Sequence, residues 1–551
     1  MSKRFRMLLV SVLSLALVLS MVGASGCTGG DTEEPAKEPT DEIQMGGTFN
    51  FYISEPAYID PYNLQESEGT QVGQAIFDSL VTFDPLTSEV MPAAAASWES
   101  NEDATVWTFR LVDGAKFHNG REVTAQDFKY SWERVANPEN GSEISYHLSS
   151  VKGYEEMQAG TATELEGVVA VDDLTLEVTL NYGFADFEYV VGHPALAPVP
   201  QEAVEADPAA FADMPIGNGP FMMSEPWAHD QYIKVEKFAD YYGDAPYIDG
   251  IEYRILADQD TAFLEFQQGN LDLTQIPTGQ IQSTIAQYGE SPDGYSISPG
   301  KQTVLGTEQA VYFLLINNAD ETLKDVKVRQ ALSMAIDRQA ICDTVFEGTR
   351  IPATGIVPEG IVGFTDGGFE YSNYDVESAK AMLVDAGFPE GEGLPTIKLE
   401  YNTGSGHEDI LQLVQNDLKA IGIESELEGT EWAQYLDKLD AKNYQMGRLG
   451  WIADYPIMDN FLYPLFKTGS GDNYSGYSNT EVDAMLEEAR TTVDDDERVA
   501  LYQGIEAKIG ADAPLIPLMY YRHTRVASER VMDGIFSPNG LFYFEKVWLK
   551  Q

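Results

Sequence analysis

The chain of 551 residues is 43% apolar and 11% aromatic, which is enough for sizeable hydrophobic cores and predicts two or three lobes. Its 34 basic and 89 acidic residues give a formal net charge of −55. This excess of acid argues against binding to nucleic acid or to anionic lipid head groups, and it fits either adaptation to salty surroundings or a mild attraction for cationic solutes.

The first 27 residues are predicted to be a secretion signal. A basic start at residues 3–6 precedes an almost wholly apolar run at 7–21, and small residues then lead to Cys27. The sequence Ala-Ser-Gly-Cys at 24–27 resembles the bacterial lipobox, whose cysteine is lipidated, although Ala24 stands where leucine is usual. The alternatives are an uncleaved N-terminal helix and plain secretion. The expected location is extracytoplasmic, with a lipid anchor at Cys27 in the cell membrane.

Residues 28–45 are rich in Asp, Glu, Pro, Gly and Thr, which predicts a flexible acidic tether. No later apolar run approaches the ~20 residues that a membrane-spanning helix needs. Lipidation of Cys27 leaves Cys342 as the second cysteine, so neither an intrachain disulfide nor a cysteine metal site is expected. Cys342 lies in an apolar helical stretch and is predicted to be a small core residue.

From residue 46 onward, strand and helix patterns mix. Alternating bulky side chains predict strands at 46–52, 106–112 and 174–180. Thr124 predicts the N-cap of a helix that reaches about Val135, and Gly387 predicts the end of a helix that starts near Val376.

A strand–helix–strand unit is predicted farther along the chain. A strand at 397–401, an amphipathic helix at 407–421 and a second strand at 423–427 suggest a right-handed crossover between parallel strands. The body is therefore predicted to be mixed α/β, with at least one parallel sheet.

The sequence offers no recognisable catalytic or metal-binding motif. None of the histidines lies three or four residues from another, as a helical zinc site requires; they are His118, His147, His193, His229, His407 and His523. A nucleophile elbow and a phosphate-binding loop are also missing from the sequence. A glycosidase function stays open only because some of the 89 acidic side chains are expected to lie close together in pairs by chance. The chain is not expected to be an enzyme, and no cofactor or metal is expected.

Several motifs follow one another in a fixed order. They are Ala-Ser-Trp-Glu-Ser at 96–100, Val-Trp-Thr-Phe-Arg-Leu at 106–111, the stretch 115–132, Pro-Ile-Gly-Asn-Gly-Pro-Phe at 215–221, Ile-Asn-Asn at 316–318 with the helix 325–338, and Gly-Trp-Ile-Ala-Asp-Tyr at 450–455. In this order and spacing they resemble the oligopeptide- and dipeptide-binding branch of the ABC transporter solute-binding proteins, family 5 (cluster C).

The resemblance implies an α/β, periplasmic-binding-protein-like type II fold with two hinged lobes and an extra inserted domain. Lobe I is expected at 46–77, 201–305 and 522–551, the insert at 78–200 and lobe II at 306–521. Closure around a ligand is expected to bend the chain near 299–307. The implied function is that of a monomeric substrate-binding component, which holds short extended peptides between the lobes and delivers them to the permease and ATPase of an ABC importer.

The resemblance places the peptide ammonium at Asp454, where a carboxylate gives a charge-assisted hydrogen bond. Trp451 and Tyr455 are expected to exclude water beside it and to lower the local dielectric. The alternative is that Asp454 only caps the helix that follows.

The peptide backbone is expected to pair like an added strand. The resemblance assigns one edge to Gln65 through Ser67 and the other to Gly450 through Ala453. Side-chain pockets can then stay roomy and filled with water, which keeps specificity low.

Arg448 and His407 are the candidates for the peptide carboxylate, since both align with family positions that meet the C-termini of ligands of different lengths. The alternatives are a structural ion pair for Arg448 and a helix-start histidine for His407. Trp432 aligns with an aromatic pocket wall, with core packing as its alternative, and Tyr312 is a further pocket candidate.

Two departures from the family pattern concern the exact ligand. A family lysine that can meet the carboxylate appears as Thr344, and a lobe-linking cysteine pair seen in some members falls at about Ala310 and Ile452.

Competing functions remain open at the level of sequence. The same scaffold can carry a nickel chelate, haem, an opine or a sugar, although the aspartate of the Trp-x-Ala-Asp motif favours peptides. A receptor for peptide pheromones and a lipid-anchored hydrolase also stay open.

Overall fold

The computed structural model describes residues 42–551, except residues 65, 257, 278, 404, 405 and 431 and the side chains of 432 and 433. Residues 44–551 form one compact unit. The predicted signal with Cys27, most of the tether, Gln65 and the side chain of Trp432 lie outside the described residues. Within the described part, none of the helices combines the length and apolar character that a bilayer crossing requires.

Strands and helices alternate along most of the chain. The strands are β1 Thr48–Ile53, β2 Val81–Phe83, β3 Val90–Pro92, β4 Ala95–Ser100, β5 Val106–Leu111, β6 Val168–Asp172, β7 Thr175–Thr179, β8 Phe221–Met223, β9 Tyr232–Lys237, β10 Gly250–Ile255, β11 Leu273–Gln275, β12 Thr303–Val304, β13 Thr307–Ile316, β14 Ile351–Pro352, β15 Ile397–Asn402, β16 Ser425–Thr430, β17 Met446–Ile452, β18 Leu515–Arg522, β19 Arg525–Ala527, β20 Val531–Met532, β21 Ile535–Phe536, β22 Phe542–Tyr543 and β23 Trp548–Leu549. The helices are α1 Ser67–Ile76, α2 Ala125–Ala136, α3 Tyr154–Gln158, α4 Phe187–Val190, α5 Gln201–Ala206, α6 Pro208–Asp213, α7 Gln259–Gln267, α8 Ile281–Tyr288, α9 Val326–Ala335, α10 Arg338–Phe346, α11 Val376–Asp385, α12 His407–Ala420, α13 Trp432–Asp440, α14 Asp459–Phe466, α15 Thr480–Thr491 and α16 Asp495–Asp512.

Two large sheets and a smaller one organise these elements. The first large sheet has the order β12-β19-β11-β1-β10-β9-β8, and β1 runs parallel to β10 and β11. The second has the order β14-β18-β13-β17-β15-β16, and β15 runs parallel to both of its neighbours. A four-stranded antiparallel sheet, β4-β5-β7-β6, has its own buried core. The predicted mixed α/β class is confirmed.

Local sequence explains why the predicted elements form where they do. Helix α2 begins after Thr124, whose backbone N–H donates to the Asp127 carboxylate at 2.8 Å, so the cap is reinforced from the first turn. Helix α11 ends before Gly387, which adopts a positive φ of 90° that favours glycine. Strand β13 carries an almost continuous apolar run because it lies inside its sheet and is buried on both faces.

The predicted strand at 423–427 begins two residues later than expected, at Ser425, and extends to Thr430. The reason is the turn after α12. Gly422 has a positive φ of 84°, and the N–H of Ile423 donates to Leu418 O at 3.0 Å, so this amide is used by the helix end and cannot join the sheet. Ile423 is therefore buried as part of the turn.

The chain passes twice between the two large sheets, at residues 305–306 and at 523–524. The two crossings touch, since His523 donates its N–H to Gly306 O at 3.1 Å and its Nε2 accepts the Gly306 N–H at 2.9 Å. Burial lowers the pKa of His523 to about 3. The first crossing lies in the predicted hinge region, while the lobe boundaries themselves stay predictions.

Candidate functional site

A cavity of about 380 Å³ lies where distant parts of the chain meet. Helix α1 contributes residues as far as Gln74, and β17 contributes its C-terminal end. Strand β2, the segment 192–194 and the C-terminal segment 539–543 complete the wall. The lining residues are Glu66, Ser67, Glu68, Thr70, Gln74, Thr82, Phe83, Gly192, His193, Pro194, Ile452, Ala453, Asp454, Asn539, Leu541 and Tyr543. The fold thus brings together Ser67, Ala453 and Asp454, which the sequence analysis placed at opposite sides of one cleft.

Asp454 is held as an acceptor in this cavity. Asn460 donates its side-chain amide to Asp454 Oδ2 at 2.9 Å and accepts the Asp454 backbone N–H at 3.1 Å, while Tyr146 donates its hydroxyl to Oδ1 at 3.1 Å. Burial raises the pKa of Asp454 above its usual 3.8. No lysine or arginine of the described residues lies within 4 Å of this carboxylate, so it lacks a cationic partner.

The alternative role for Asp454, as a helix cap, does not match the geometry. Helix α14 begins at Asp459, and its N-cap residue is Met458. Asp454 therefore lies ahead of the helix and is free to serve the cavity.

The aromatic surroundings of Asp454 differ in detail from the expectation. Trp451 donates its indole N–H to Asn460 Oδ1 at 3.0 Å, so it supports the amide that holds Asp454. Tyr455 is buried and turns its hydroxyl toward Asp459 at 3.4 Å. Rings from a distant part of the chain also lie near Asp454. Tyr146 donates to its carboxylate, and His147 stacks between the ring of Tyr146 at 4.6 Å and that of His193 at 4.8 Å.

Strand β17 offers an edge on which an extended ligand could pair. It pairs with β13 over its whole length, but with β15 only at Met446 and Gly447. Among the described strands, none pairs with the same edge beyond Gly447. The side chain of Ile452 is 59% exposed at this edge.

The other segment assigned to peptide pairing, Gln65 through Ser67, leads into a helix. Ser67 is the first residue of α1, so the segment assigned to peptide pairing passes into a helix at this point. Glu66 caps the helix by accepting the N–H of Glu68 at 2.8 Å and of Gly69 at 3.0 Å. Burial raises the pKa of the Glu66 carboxyl to about 7.

A second cavity, of about 770 Å³, lies on the six-stranded sheet. It brings together Arg448, His407 and Tyr312, which the sequence analysis proposed separately. Its lining residues are Tyr312, Val345, Phe346, Arg350, Asn402, Thr403, Gly406, His407, Asp409, Ile410, Arg448 and Tyr521.

Arg448 is held in place without an ion pair to any described residue. Its Nη1 donates to Asn402 Oδ1 at 2.9 Å, and its guanidinium lies 5.1 Å from the centroid of the Tyr312 ring. Its Nε is buried and has no hydrogen-bond partner within the described part of the chain. The guanidinium group therefore keeps an Nε donor that no described residue uses, and a guanidinium group is suited to bind a carboxylate.

His407 opens helix α12 and is 8% exposed. Its Nδ1 lies 3.3 Å from the hydroxyl of Tyr312. Burial, and then the charge of Arg448, lower the pKa of His407 to about 4, so the imidazole is neutral near pH 7 and contributes hydrogen bonding but no charge.

The expectation that the two cysteine-pair positions link the lobes is wrong for this chain. Ala310 and Ile452 are direct partners in the register of β13 and β17, so a bridge there would join two strands of one sheet. Cys342 is buried in the core, where burial raises its pKa to about 12.

Four residues that line or shape the cavities were not found from the sequence: Tyr146, His193, Arg350 and Asn460. Asn460 lies six residues after Asp454 and could have been suspected as a short-range partner. The other three carry no local pattern. Among the described residues, no group of three or more His, Cys, Asp or Glu side chains is arranged to hold a metal ion.

Comparisons with known proteins agree with this architecture. The model of the bacterial extracellular solute-binding proteins, family 5 (middle), matches residues 89–473. The oligopeptide-binding protein OppA of Bacillus subtilis (strain 168) is 30% identical over 563 aligned residues that cover all of both chains.

Two solved structures extend the likeness to the fold. A periplasmic murein tripeptide-binding protein in an unliganded open form matches with a TM-score of 0.78 and 26% identity, over 93% of this chain and 99% of that one. Haemophilus influenzae OppA in complex with the peptide RPPGFSPFR matches with a TM-score of 0.74 and 25% identity, over 92% and 100%. The chain belongs to family 5 of the bacterial extracellular solute-binding proteins and has their two-lobed, type II binding-protein fold with an inserted domain.

Proposed function

We propose that this chain is the substrate-binding component of an ABC importer, which holds short peptides between its lobes and delivers them to the permease and its ATPase. The observation that carries the proposal is the half-buried Asp454, an acceptor without a cationic partner among the described residues in a cavity built from distant parts of the chain. A peptide ammonium supplies the missing charge. Peptide-binding relatives support the same cargo.

The rest of the peptide fits the geometry between the two cavities. Its backbone pairs along the open edge of β17, and its carboxylate reaches Arg448, with His407 and Tyr312 beside it. Arg448 precedes Asp454 by six residues, which span at most roughly 20 Å. An extended peptide of about four residues, with a hydrogen bond at either end, has this length.

The proposal is tested by native mass spectrometry of the protein with an equimolar pool of peptides of two to six residues, a nickel chelate, haem and a mixture of sugars. We expect mass shifts that correspond to peptides, strongest near four residues. Retention of one of the other compounds with no peptide adduct would assign the scaffold a different cargo.

We also propose that the protein is monomeric and is anchored to the membrane by a lipid at Cys27. The apolar run at 7–21 and the small residues before Cys27 support the anchor. Expressed with its leader in a bacterium, the full chain is expected in the membrane fraction, and its intact mass should show acylation. Replacement of Cys27 by serine should remove the acylation from the intact mass, whereas acylation that persists in this variant would contradict the anchor at Cys27.

As the pH is lowered, peptide affinity is expected to begin to fall at a higher pH than the usual pKa of an aspartate would predict. Burial raises the pKa of Asp454 in the free protein, and pairing with an ammonium group lowers it in the complex. The free protein therefore binds more protons than the complex, so affinity is complete above the free-protein pKa and is lost as the pH falls through it.

Calorimetry in buffers of different ionisation enthalpy should detect this proton release above pH 3.8, the usual aspartate value. Asp454→Asn should bind weakly and show no proton release in the same window. Proton release of equal size in that variant would assign the titration to another group.

A further inference from the structure

The cavity at Arg448 contains a second arginine. Arg350 directly precedes β14 and lines the cavity together with Arg448. Its guanidinium lies 4.0 Å from the ring centroid of Tyr521 and 4.9 Å from that of Phe346, so two aromatic rings hold it in place. Its Nη1 is buried and has no hydrogen-bond partner within the described part of the chain.

Neither arginine of this cavity has a carboxylate partner among the described residues, although the chain is strongly acidic. Six other arginines lie within 4 Å of an acidic side chain: Arg121, Arg134, Arg254, Arg490, Arg498 and Arg530. In the part of the chain that the structure describes, no carboxylate lies that close to Arg350 or Arg448. Asp409 stands exposed at the cavity lining, and Glu308 acts on Arg350 through its charge without contact.

The two guanidinium groups line the same cavity. Arg448 lies over Tyr312, Arg350 lies over Tyr521, and the two ring centroids are 6.4 Å apart. The neutral His407 adds no charge. A single ligand carboxylate can satisfy one guanidinium fork, which leaves the second fork for another anionic group close to the first.

We propose that this cavity selects peptides whose C-terminal residue is aspartate or glutamate, with Arg448 binding the α-carboxylate and Arg350 binding the side-chain carboxylate. The inference rests on the proposed function and adds a sequence preference to it. A peptide end with two carboxylates places two negative charges against two arginines that have no described carboxylate within 4 Å. Arg350 is in this sense a specificity-determining residue.

The preference is tested by calorimetry with alanine peptides of three, four and five residues, each made with glutamate or glutamine at the C-terminus. For at least one length, we expect the glutamate peptide to bind about tenfold more tightly or better, as for a hydrogen bond to a charged group. Arg350→Gln should remove this ratio and leave the affinity for the glutamine peptide within about twofold. Arg350→Lys, which keeps the charge and loses the fork, should retain a smaller ratio.

Arg110→Gln is the matched control, because Arg110 is an exposed arginine on β5 of the four-stranded sheet and is not part of the cavity lining. It should leave the ratio unchanged. Equal affinity of the wild-type protein for both peptides of every pair would overturn the inference alone, and so would a ratio that survives in Arg350→Gln. An equal loss for both peptides in Arg350→Gln would show a merely structural role. Failure of the wild-type protein to bind any peptide would overturn the proposed function as well.

Discussion

Replacement of Asp454 by alanine is expected to lower peptide affinity by about 2–5 kcal/mol, or roughly thirtyfold to several thousandfold. In the complex, the peptide ammonium would be buried against a wall that no longer offers it a charge. The protein itself should stay folded, because the Asp454 carboxylate has no ion pair among the described residues and its main partner, Asn460, also bonds to Trp451. Isothermal calorimetry with an alanine tetrapeptide measures the loss.

A double-mutant cycle separates the direct contact from indirect effects. Acetylation of the peptide amine should weaken binding to the wild-type protein by a similar factor, and Asp454→Ala should bind acetylated and free peptides equally. If the variant still prefers the free amine, the ammonium is bound elsewhere.

Asp472→Asn is the control for the general negative field. Burial and then the charge of Asp454 raise the pKa of Asp472 to about 6, which shows that the two carboxylates sense each other. Asp472 is not part of the cavity lining. Its neutralisation should change peptide affinity by less than about fivefold, because it acts through the field and not through a contact.

The fold could be predicted from the sequence where the pattern is long and its ends are marked. Helix α2 begins at the residue after Thr124 and ends one residue beyond the predicted end. Strands β2, β3, β14 and β20 have two or three residues each, too few to show alternation, and they are extended because a partner strand pairs with them. Their existence depends on tertiary context that a single sequence does not display.

The candidate site could be predicted only where its residues share one segment. The motif at 450–455 contains Asp454, Trp451 and Ala453, and the structure places them together at the end of β17. Tyr146 is separated from Asp454 by 308 positions, so their hydrogen bond follows from the fold alone. The proposed role of Arg350 depends on its having no carboxylate partner among the described residues. A sequence pattern cannot show this, because the partners of a side chain are set by the fold.

Replacement of Arg490 by methionine is expected to destabilise the protein by about 3–5 kcal/mol. Arg490 binds the fully buried Asp459 through two parallel hydrogen bonds of 2.8 and 2.7 Å. Tyr502 adds a third bond to the same carboxylate at 3.1 Å. Without the guanidinium, a charged carboxylate stays buried with only neutral donors, which costs far more than the lost contact. Chemical unfolding at neutral pH measures the change.

A more exposed ion pair provides the control. Arg254 and Glu265 approach to 3.4 Å, with side chains 30% and 27% exposed, so Arg254→Met should cost less than about 1 kcal/mol. A double variant, Asp459→Leu with Arg490→Met, should recover part of the loss of the single variant, because it removes the uncompensated charge. Equal destabilisation by Arg490→Met and Arg254→Met would show that burial of the Asp459 carboxylate is not what makes the pair important.

Arg490→Met should also weaken peptide binding, because the partner of Arg490 is the neighbour of Asn460 in the sequence. Asp459 immediately precedes Asn460, and Asn460 holds both the backbone and the carboxylate of Asp454. Loss of the Arg490 anchor therefore frees the start of α14 and with it the amide that orients the ammonium acceptor. Peptide affinity of Arg490→Met, measured well below its unfolding midpoint, is expected to fall, while that of Arg254→Met stays at the wild-type value. An unchanged affinity in both variants would mean that Asn460 keeps Asp454 in place without support from the buried ion pair.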